Sequence, residues 1–340
     1  MIAFTVCGVL IVVATGVDLA LTMLHPTRSG YVSAIATSVT WRVMRFAARK
    51  LRKDAIAGYA GPVMMLAQLA SWVLGLWLGF ALIYAGSLDQ LDYTLPGSDD
   101  SPGFVDALYF SGVALSTVGF GDIVAQSDSM RLVSAAEAAL GLAVFGAAIS
   151  YLLTVYPLVS EIRTIARHLS SAQDHHGAAE LVAHGGQSRL DTLERDLIRL
   201  DESTQRFPIL YYFHAHDPTA SLGSVIRATS LITMQLRWGI ATQSAPYARW
   251  YGGVLEGTLT RVTEHLAGRY HRLGSAAAHS PPTSEQVDSE WRAARAAAAD
   301  VTRIEAEDEI DVNSFAEHLR RFDRFLRELE REHLYAPPRS

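Results

Sequence analysis

Three long apolar runs set the strongest limit on how this chain can fold. Residues 2–24 carry a single charge, Asp18. Residues 62–86 carry no charge, and residues 132–159 carry only Glu137. A helix of about 20 residues covers the hydrocarbon core of a bilayer, so each run is long enough to cross it. The chain has 340 residues, of which 49% are hydrophobic and 19% charged, and this composition predicts a membrane protein with concentrated apolar spans.

The first run is predicted to be an uncleaved span. It has no basic amino-terminal region, and no clear small-x-small cleavage site precedes Asp18. The lone Cys7 lies inside this run and excludes an intrachain disulfide framework. The net charge of −6 gives no indication of nucleic-acid binding. Because the apolar runs are long enough to cross a bilayer, membrane lipid is the first expected partner.

The basic residues predict the orientation of the spans. Six of them cluster between the first and second runs, namely Arg42, Arg45, Arg49, Lys50, Arg52 and Lys53. Between Gly86 and Met130 there is no lysine or arginine, but there are seven aspartates. The positive-inside rule then places the amino terminus outside, residues 87–129 outside, and everything after residue 159 in the cytoplasm.

Four parts follow along the chain. Residues 1–25 form an additional first span, and residues 26–59 a basic amphipathic segment at the membrane interface. Residues 60–159 form a unit of two spans joined by a short helix and a loop. Residues 160–340 form a helix-rich region that holds 11 of the 12 histidines and no glycine fingerprint for a dinucleotide. Residues 170–188 and 274–284 have the Ser, Gly, Ala, His and Pro content of linkers.

The last helix of the chain has the clearest pattern in the soluble part. Ser314 and Glu317 fit a capping box at its start. Apolar residues then follow at a spacing of four and three, at Phe315, Leu319, Phe322, Leu326 and Leu329. About two heptads are present, which leaves both a core helix and an oligomerising coiled coil open.

The stretch "LSTVGFGDIV", residues 115–124, separates the last two spans from each other. Ser101-Pro102-Gly103 suits the start of a helix over 104–116, with Asp106 in the first turn. About a dozen helical residues cannot cross a bilayer, so the chain must turn back. Freed backbone at this depth is tolerated only where it lines a water- or ion-filled path.

The glycines predict what the returning backbone does. Gly119 and Gly121 can adopt positive φ, which is closed to most residues. Alternating them with Val118 and Phe120 lets successive carbonyls point to one side, while the two side chains pack outward against the short helices. A row of carbonyls with the Thr117 hydroxyl at one end can replace the water around a monovalent cation. Such a cage needs several strands around an axis, so several copies of this chain must assemble.

These residues resemble the tetrameric potassium channels of the outer helix, pore loop and inner helix type. The resemblance covers about residues 60–157 and rests on Thr117 to Asp122, the preceding "ALS", and Gly141 nineteen residues after Asp122. The added first span and basic segment are similar to bacterial members with an extra amino-terminal helix. The carbonyl mechanism itself is the established one for this filter.

The resemblance implies an all-α membrane protein with a potassium-channel pore, an extra amino-terminal transmembrane helix and a carboxy-terminal helical cytoplasmic region. The outer helix would span 62–86, the pore helix 104–116, the filter 117–122 and the inner helix 130–157. The expected assembly is a homotetramer in the bacterial inner membrane, with potassium as the permeant ion and with no other cofactor and no catalysis. Residues 160–340 would regulate or hold together the tetramer, through an unidentified regulator or ligand. The alternative function is a non-conducting sensor or scaffold that acts through this region.

The same resemblance implies the site residues. Potassium would bind at Thr117, Val118, Gly119 and Phe120, with Gly121 completing the filter and Asp122, Ser116 and Val113 supporting it. The cavity and gate would be formed on the inner helix by Gly141, Leu142, Phe145, Gly146, Ile149 and Leu153. Pro157 is expected to redirect the chain where it leaves the membrane.

Two positions depart from the commoner pattern of the family. Phe120 replaces a tyrosine, so a ring-edge hydroxyl bond around the filter is lost. Val113 stands where some bacterial members have a glutamate that bonds the filter aspartate. Asp122 therefore needs another partner, and a looser filter that favours inactivation is the resulting hypothesis. Further acids at the expected mouth, namely Asp89, Asp92, Asp99 and Asp100, either attract cations or belong to a merely soluble loop.

Several residues allow two interpretations. Glu137 either bonds a hydroxyl such as Ser134 or one on the pore helix, or senses protons. Gly141 and Gly146 are either gating hinges or sites of close helix packing. Gly75 and Gly79 are a small-xxx-small pair, favouring ordinary packing over a dimer contact.

Two charged groups outside the pore segment also allow alternatives. Arg42, Arg45, Arg49 and Arg52 have the spacing of a voltage sensor, although an interfacial helix is favoured because the one preceding span offers a single acid. The stretch His214-Ala215-His216-Asp217 could hold a metal, but a surface cluster is favoured.

Overall fold

The computed structural model describes residues 2–24, 30–51, 59–93, 103–174, 177–213, 220–243, 245–269, 283–299 and 311–333. The chain divides into two compact units. The membrane unit comprises Met1–Phe46 and Pro62–Tyr156. The helical unit comprises Ala47–Gly61 and Pro157–Ser340.

Three helices in the described residues are long and apolar enough to cross a membrane. They are α1 (Ile2–Leu24), α3 (Ala60–Ala85) and α5 (Asp128–Asp174). The basic helix α2 (Tyr31–Leu51) lies between the first two, and the short helix α4 (Phe104–Leu115) lies between the last two. The all-α membrane fold with an extra amino-terminal helix is confirmed.

Helices α1 and α3 pack closely because small residues face each other. A Cβ at Gly79 would lie 2.8 Å from Val12 Cγ2, and one at Gly75 would lie 2.5 Å from Thr15 Oγ1. A Cβ at Gly8 would in turn lie 2.5 Å from the carbonyl oxygen of Gly79. Gly75 and Gly79 therefore serve packing within one chain, as favoured from the sequence.

A two-stranded antiparallel ribbon stands beside the pore loop, and the sequence did not predict it. Strand β1 (Leu91–Tyr93) pairs with β2 (Ile123–Ala125), with Leu91 opposite Ala125 and Tyr93 opposite Ile123. Leu91, Ile123 and Ala125 are buried. The ribbon thus ties the segment that follows α3 to the segment that follows the pore loop.

Helix α4 begins as its sequence predicts. Gly103 is the N-cap, and its amide donates to Asp106 Oδ2 at 2.7 Å. The carboxylate of Asp106 thereby satisfies an amide at the helix start and lies at the positive end of the helix dipole. The helix ends at Leu115, one residue before the predicted end, with Ser116 as its C-cap.

The inner helix is longer than predicted. Helix α5 does not stop near residue 157 but continues to Asp174, with Pro157 inside it. Proline lacks only one amide donor, and a helix can pass through it when the surrounding residues retain helical dihedrals. The helix therefore does not end at Pro157, and the boundary between the two units falls between Tyr156 and Pro157.

The helical unit contains the end of α5 and five further helices in the described residues. These are α6 (Gly177–Arg206), α7 (Leu222–Met234), α8 (Pro246–Arg269), α9 (Ser284–Ala299) and α10 (Val312–His333). A 3-10 helix, Pro208–Tyr212, follows α6, and a π-helical turn, Gln235–Gly239, follows α7.

The linker prediction for residues 170–188 is wrong over most of its length. Helix α5 covers its first residues and α6 begins at Gly177, with a break in helical geometry at Gly186, where φ is 52°. Ala178, Ala179 and Val182 are buried, so an apolar face holds this segment as helix. Residues 274–282 of the second predicted linker lie outside the described residues.

Helix α10 is a core helix, as one of the two interpretations held. Phe315, Phe322, Leu326 and Leu329 are buried, and Phe315 packs against Trp238 with ring centroids 5.4 Å apart. The predicted capping box at Ser314 is wrong. The helix begins earlier, and Asp311 Oδ1 accepts the amide of Ser314 at 3.2 Å. An aspartate is an equally good N-cap, and it lies three residues upstream.

Candidate functional site: the re-entrant loop of the membrane unit

The loop after α4 is attached to that helix through the carbonyl oxygens of Val113 and Ala114. The carbonyl of Val113 accepts the amide of Val118 at 3.1 Å, the amide of Gly119 at 3.5 Å and the hydroxyl of Ser116 at 3.2 Å. Thr117 donates its amide to the carbonyl of Ala114 at 2.9 Å. Val113 and Ser116 are thus brought together with the loop. Val113 makes these contacts through its backbone, whereas the sequence drew attention to its side chain.

The backbone of the loop alternates in the sign of φ. Gly119 has φ 59° and Gly121 has φ 76°, as predicted. Thr117 also has a positive φ of 59°, and it is the only such non-glycine residue in the described part of the chain. Positive φ costs a threonine of order 1 kcal/mol or more, so the surrounding structure must hold it there. No sequence pattern predicts a positive φ at Thr117, because a β-branched side chain disfavours that conformation.

The side chains between these positions point away from the chain's own core. Val118 and Phe120 are exposed in the single chain, Phe120 by 69%. The expected packing of these two side chains against the pore helix is therefore not found within one chain. Contacts made by the backbone, not by these side chains, fix the loop to α4.

Asp122 has a hydrogen-bond partner that the sequence analysis missed. The hydroxyl of Tyr109 donates to Asp122 Oδ2 at 2.8 Å, and the amide of Ile123 donates to Asp122 Oδ1 at 3.1 Å. Tyr109 lies one helical turn before Val113 on α4, so its spacing could have indicated it as a substitute for the missing glutamate. The carboxylate at the outer end of the loop is therefore held from the pore helix.

Polar contacts beside the ribbon hold the segment after the loop. Gln126 donates its amide to the carbonyl of Gln90 at 2.8 Å and its side chain to Asp92 Oδ2 at 3.1 Å. Ser127 donates to Gln90 Oε1 at 2.5 Å. Asp89 and Asp92 are exposed, while Asp99 and Asp100 lie outside the described residues. The acidic mouth therefore stays a prediction.

Glu137 on the inner helix joins three helices behind the loop. It is fully buried, and its Oε2 accepts the hydroxyl of Tyr84 on α3 at 2.8 Å. Its Oε1 lies 2.5 Å from the hydroxyl of Ser111 on α4. The expected bond to a hydroxyl of the pore helix is thus confirmed.

The protons around Glu137 can be counted. The Ser111 hydroxyl has one proton, yet it lies near two oxygens, Glu137 Oε1 and the Trp77 carbonyl at 3.0 Å. If Glu137 were ionised, one of these contacts would have no proton between its oxygens. If Glu137 is protonated, it donates to Ser111, which donates to Trp77, and every group is satisfied. The contacts therefore favour a neutral carboxylic acid, in keeping with the cost of burying a charge.

An apolar cavity of about 610 Å³ lies between the three helices next to the loop. Its wall includes Val73 of α3, Leu115 and Thr117 at the end of α4, and Leu142 and Phe145 of α5. The predicted stripe of α5 is exposed in the single chain, at Leu142, Phe145, Ile149 and Leu153, the last by 71%. Ile149 and Leu153 do not line this cavity, so only the first half of the stripe borders it.

The two glycines of the inner helix differ in their surroundings. A Cβ at Gly141 would overlap the carbonyl oxygen of Leu115, so this glycine permits close packing of α5 on the end of α4. A Cβ at Gly146 would meet nothing within 4 Å in the single chain. Packing within the chain thus accounts for Gly141 and leaves the hinge interpretation open for Gly146.

The remaining sequence candidates receive little support as sites. Helix α2 exposes apolar residues on one face, including Ile35, Val39 and Val43, and Arg42 is exposed beside them, which fits an interfacial helix. Arg52 and the stretch 214–217 lie outside the described residues. Within the described part of the chain no group of three His, Cys, Asp or Glu residues could hold a metal ion.

Taken from the residues upward, the membrane unit is a channel-type pore domain, with an outer helix, a half-length pore helix, a re-entrant loop and an inner helix. Residues 71–156 match the family described as "Ion channel". The chain also resembles the "Uncharacterized membrane protein YdjJ" of Bacillus subtilis (strain 168), with 25% identity over 256 residues that cover 72% of each protein. No solved structure matches the chain.

Proposed function

We propose that this protein is one subunit of a homotetrameric, potassium-selective ion channel. In this proposal the carbonyl oxygens of Thr117, Val118, Gly119 and Phe120, with the Thr117 hydroxyl, replace the water around a potassium ion. The membrane is the bacterial inner membrane, with the amino terminus outside and the helical unit in the cytoplasm. The helical unit regulates gating or assembly.

One observation carries the proposal. Positive φ recurs at every second residue, Thr117, Gly119 and Gly121, directly after a helix too short to cross a bilayer. This alternation is the backbone pattern that aims successive carbonyls to one side, and a single chain supplies only one such row. The backbone bonds to Val113 hold the row in place.

The inner helix supports the same proposal. Its apolar stripe, from Leu142 to Leu153, is exposed in the single chain and fits the wall of a central cavity between several copies of the chain. We assign the gate to this stripe, with Leu153 towards the cytoplasmic end. Gly146 is assigned as the flexible point because no neighbour in the chain requires a glycine there.

The reversal potential of purified protein in lipid bilayers tests the proposal. In a potassium–sodium gradient it should lie near the potassium equilibrium potential. Gly119→Ala should move it towards zero or abolish the current, because alanine resists a φ of 59°. Gly16→Ala is the matched control, since a Cβ there meets nothing within 4 Å. A current that does not discriminate potassium from sodium would overturn the selectivity.

The non-conducting scaffold remains the rival function. If reconstituted protein assembles as a tetramer but carries no potassium current under any applied voltage, the scaffold is favoured. A purified assembly of other than four chains would contradict the tetramer directly.

A further inference from the structure

The start of the basic helix α2 lies beside the last third of a membrane span, not beyond its end. Asp18 of α1 reaches the first turn of α2, although it precedes the last residue of α1 by six positions. At 1.5 Å per residue this is about 9 Å along the helix. The amides that open α2 are therefore held within the length of α1.

The carboxylate of Asp18 receives only donors. Oδ1 accepts the amide of Val32 at 2.8 Å, and Oδ2 accepts the amide of Ser33 at 3.1 Å. The Ser33 hydroxyl and the indole of Trp72, at 2.9 Å, also donate to Oδ2. Asp18 is 3% exposed, and within the described residues no lysine or arginine is bonded to it. Each of these groups can donate to an ionised carboxylate, so the hydrogen bonds require no proton on Asp18. The positive end of the α2 dipole stabilises the negative charge.

This arrangement is a helix cap supplied by another helix. The residue that precedes α2 is Gly30, which has no side chain to accept the free amides. A Cβ at Gly30 would overlap the carboxylate of Asp18, so the glycine makes room for it. Thr22 of α1 accepts the amide of Gly30 at 3.3 Å. Asp18 and Thr22 of α1 thus provide the side-chain acceptors that Gly30 cannot offer to the free amides at the start of α2.

The polar side chains around Asp18 also attach α2 to the outer helix α3. Gln68 donates to the Ser33 hydroxyl and accepts the hydroxyl of Thr37 at 3.3 Å. Ser33, Thr37 and Trp41 lie on one face of α2 at a spacing of four, and Ser33 and Trp41 are buried. The apolar residues Ile35, Val39, Val43 and Phe46 are exposed. One face of α2 is therefore fixed to the membrane unit, and another is free to contact lipid.

Trp72 extends the connection to the inner helix. Its ring meets that of Tyr151 on α5 edge to face, with centroids 6.4 Å apart. Tyr151 lies between Ile149 and Leu153, two residues of the stripe assigned to the gate. Contacts run from Asp18 through Trp72 to Tyr151, all within the membrane unit.

We propose that Asp18 is an ionised positioning residue that holds the first turn of α2 against Trp72 and couples α2 to the inner helix. The extra amino-terminal helix then acts as the fixed support of the coupling, not as a simple anchor. Displacement of α2 at the lipid surface reaches the gate through Trp72. The coupling to the gate, but not the cap itself, rests on the proposed channel function.

Asp18→Asn tests the cap without any need for a current. In asparagine an NH2 donor replaces one of the two acceptor oxygens. The hydrogen bonds that this oxygen accepted from the surrounding donors are therefore lost. Hydrogen–deuterium exchange of the Val32 and Ser33 amides, in protein reconstituted in lipid, should quicken at least tenfold. Trp72→Phe removes one donor and keeps the ring, and should give a smaller increase. Asp89→Asn, an exposed aspartate outside the cluster, should leave this exchange unchanged.

Single-channel recording tests the coupling. Asp18→Asn and Trp72→Phe should change the open probability severalfold while the unitary conductance and reversal potential stay the same. A merely structural loss would reduce the number of channels and leave the open probability unaltered.

Unchanged exchange in Asp18→Asn overturns the cap. Faster exchange with unchanged open probability overturns the coupling. If the wild-type protein carries no current, the channel function fails while the exchange result still decides the cap.

Discussion

Asp18 and Glu137 are both buried carboxyl groups in helices that can span a membrane, yet their surroundings differ in the number of protons offered. Asp18 receives four different donors, and the one hydroxyl among them, that of Ser33, lies 3.2 Å from the Thr22 hydroxyl, which can itself donate. Glu137 faces a hydroxyl that has another acceptor beside it. The first site stabilises a charge and the second a neutral acid. Burial alone does not decide the charge of a carboxyl group, because the inventory of donors and acceptors around it differs.

Removal of the Glu137 side chain should have the largest effect. Glu137→Ala leaves the buried hydroxyls of Tyr84 and Ser111 without this partner and opens a cavity behind the loop. The expected loss is about 3–5 kcal/mol, from roughly 1–3 kcal/mol for each unsatisfied group and the cavity. A large drop in the melting temperature of the purified protein would report it. Leu132→Ala, an exposed position on the same helix, is the control and should melt as the wild type does.

Exchange of carboxyl for amide at each site separates the two sites most sharply. Asp18→Asn should lower the free energy of unfolding by about 2 kcal/mol, since it breaks bonds to a charged group. Glu137→Gln should cost less than about 1 kcal/mol, because an amide can donate to Ser111 and accept from Tyr84. An infrared band of a protonated carboxyl group should vanish in Glu137→Gln and persist in Asp18→Asn. The reverse pattern would refute the comparison.

His318 tests the same principle outside the membrane. Its Nε2 lies 3.0 Å from the Ser230 hydroxyl and its Nδ1 lies 3.4 Å from Glu256, which also pairs with Arg237. Burial, with the charges of Arg237 and Arg321, lowers the pKa of His318 to about 4, although a bond to the Ser230 backbone opposes the shift. The folded state then binds fewer protons than the unfolded state between about pH 4 and 6.5.

Stability should therefore be complete above pH 6.5 and fall as the pH drops towards 4. At pH 5.5 the expected loss is about 1 kcal/mol. Thermal melting of the full chain between pH 5.5 and 7.5 measures it, and His318→Gln should remove this part of the dependence. A wild-type melting temperature no more sensitive to acid than that of His318→Gln would show that the histidine is not held neutral.

The solvent-exposed bond between Tyr109 and Asp122 should matter least for stability. Tyr109→Phe removes a hydrogen bond in contact with water, for which about 0.5 kcal/mol is expected. The effect of Tyr109→Phe should be seen in the potassium current through the channel. During a sustained recording this current should inactivate faster, because the Asp122 end of the loop is less restrained. Val113→Glu should slow the decline by giving Asp122 a second support. If neither substitution alters the time course, Asp122 does not hold the loop.

The sequence predicted those features that rest on local chemistry. The spans follow from uncharged length, and the start of α4 follows from Gly103 and Asp106. Positive φ at Gly119 and Gly121 follows from the freedom of glycine. What these features share is that a few neighbouring residues determine them.

Features that depend on distant partners were not predictable in this way. The positive φ of Thr117 is imposed by the bonds around it, against the preference of a β-branched residue. The spacing of Tyr109 could have indicated a support for Asp122, but the bond itself is identified only once the loop folds back beside α4. The extension of α5 beyond Pro157 and the helix at 177–186 depend on packing that no short pattern records. The contacts of Asp18 join residues far apart in sequence, so its single charge gave no sign of them.

The close approach of Leu115 to Gly141 has a consequence for how this protein can evolve. Any side chain at position 141 would collide with the last carbonyl of the pore helix, so the position cannot accept even alanine unless α4 shifts. A mutation there would disturb the floor of the loop before it altered the bending of the inner helix. Homologues that have lost this glycine should therefore carry compensating changes near the end of their pore helix.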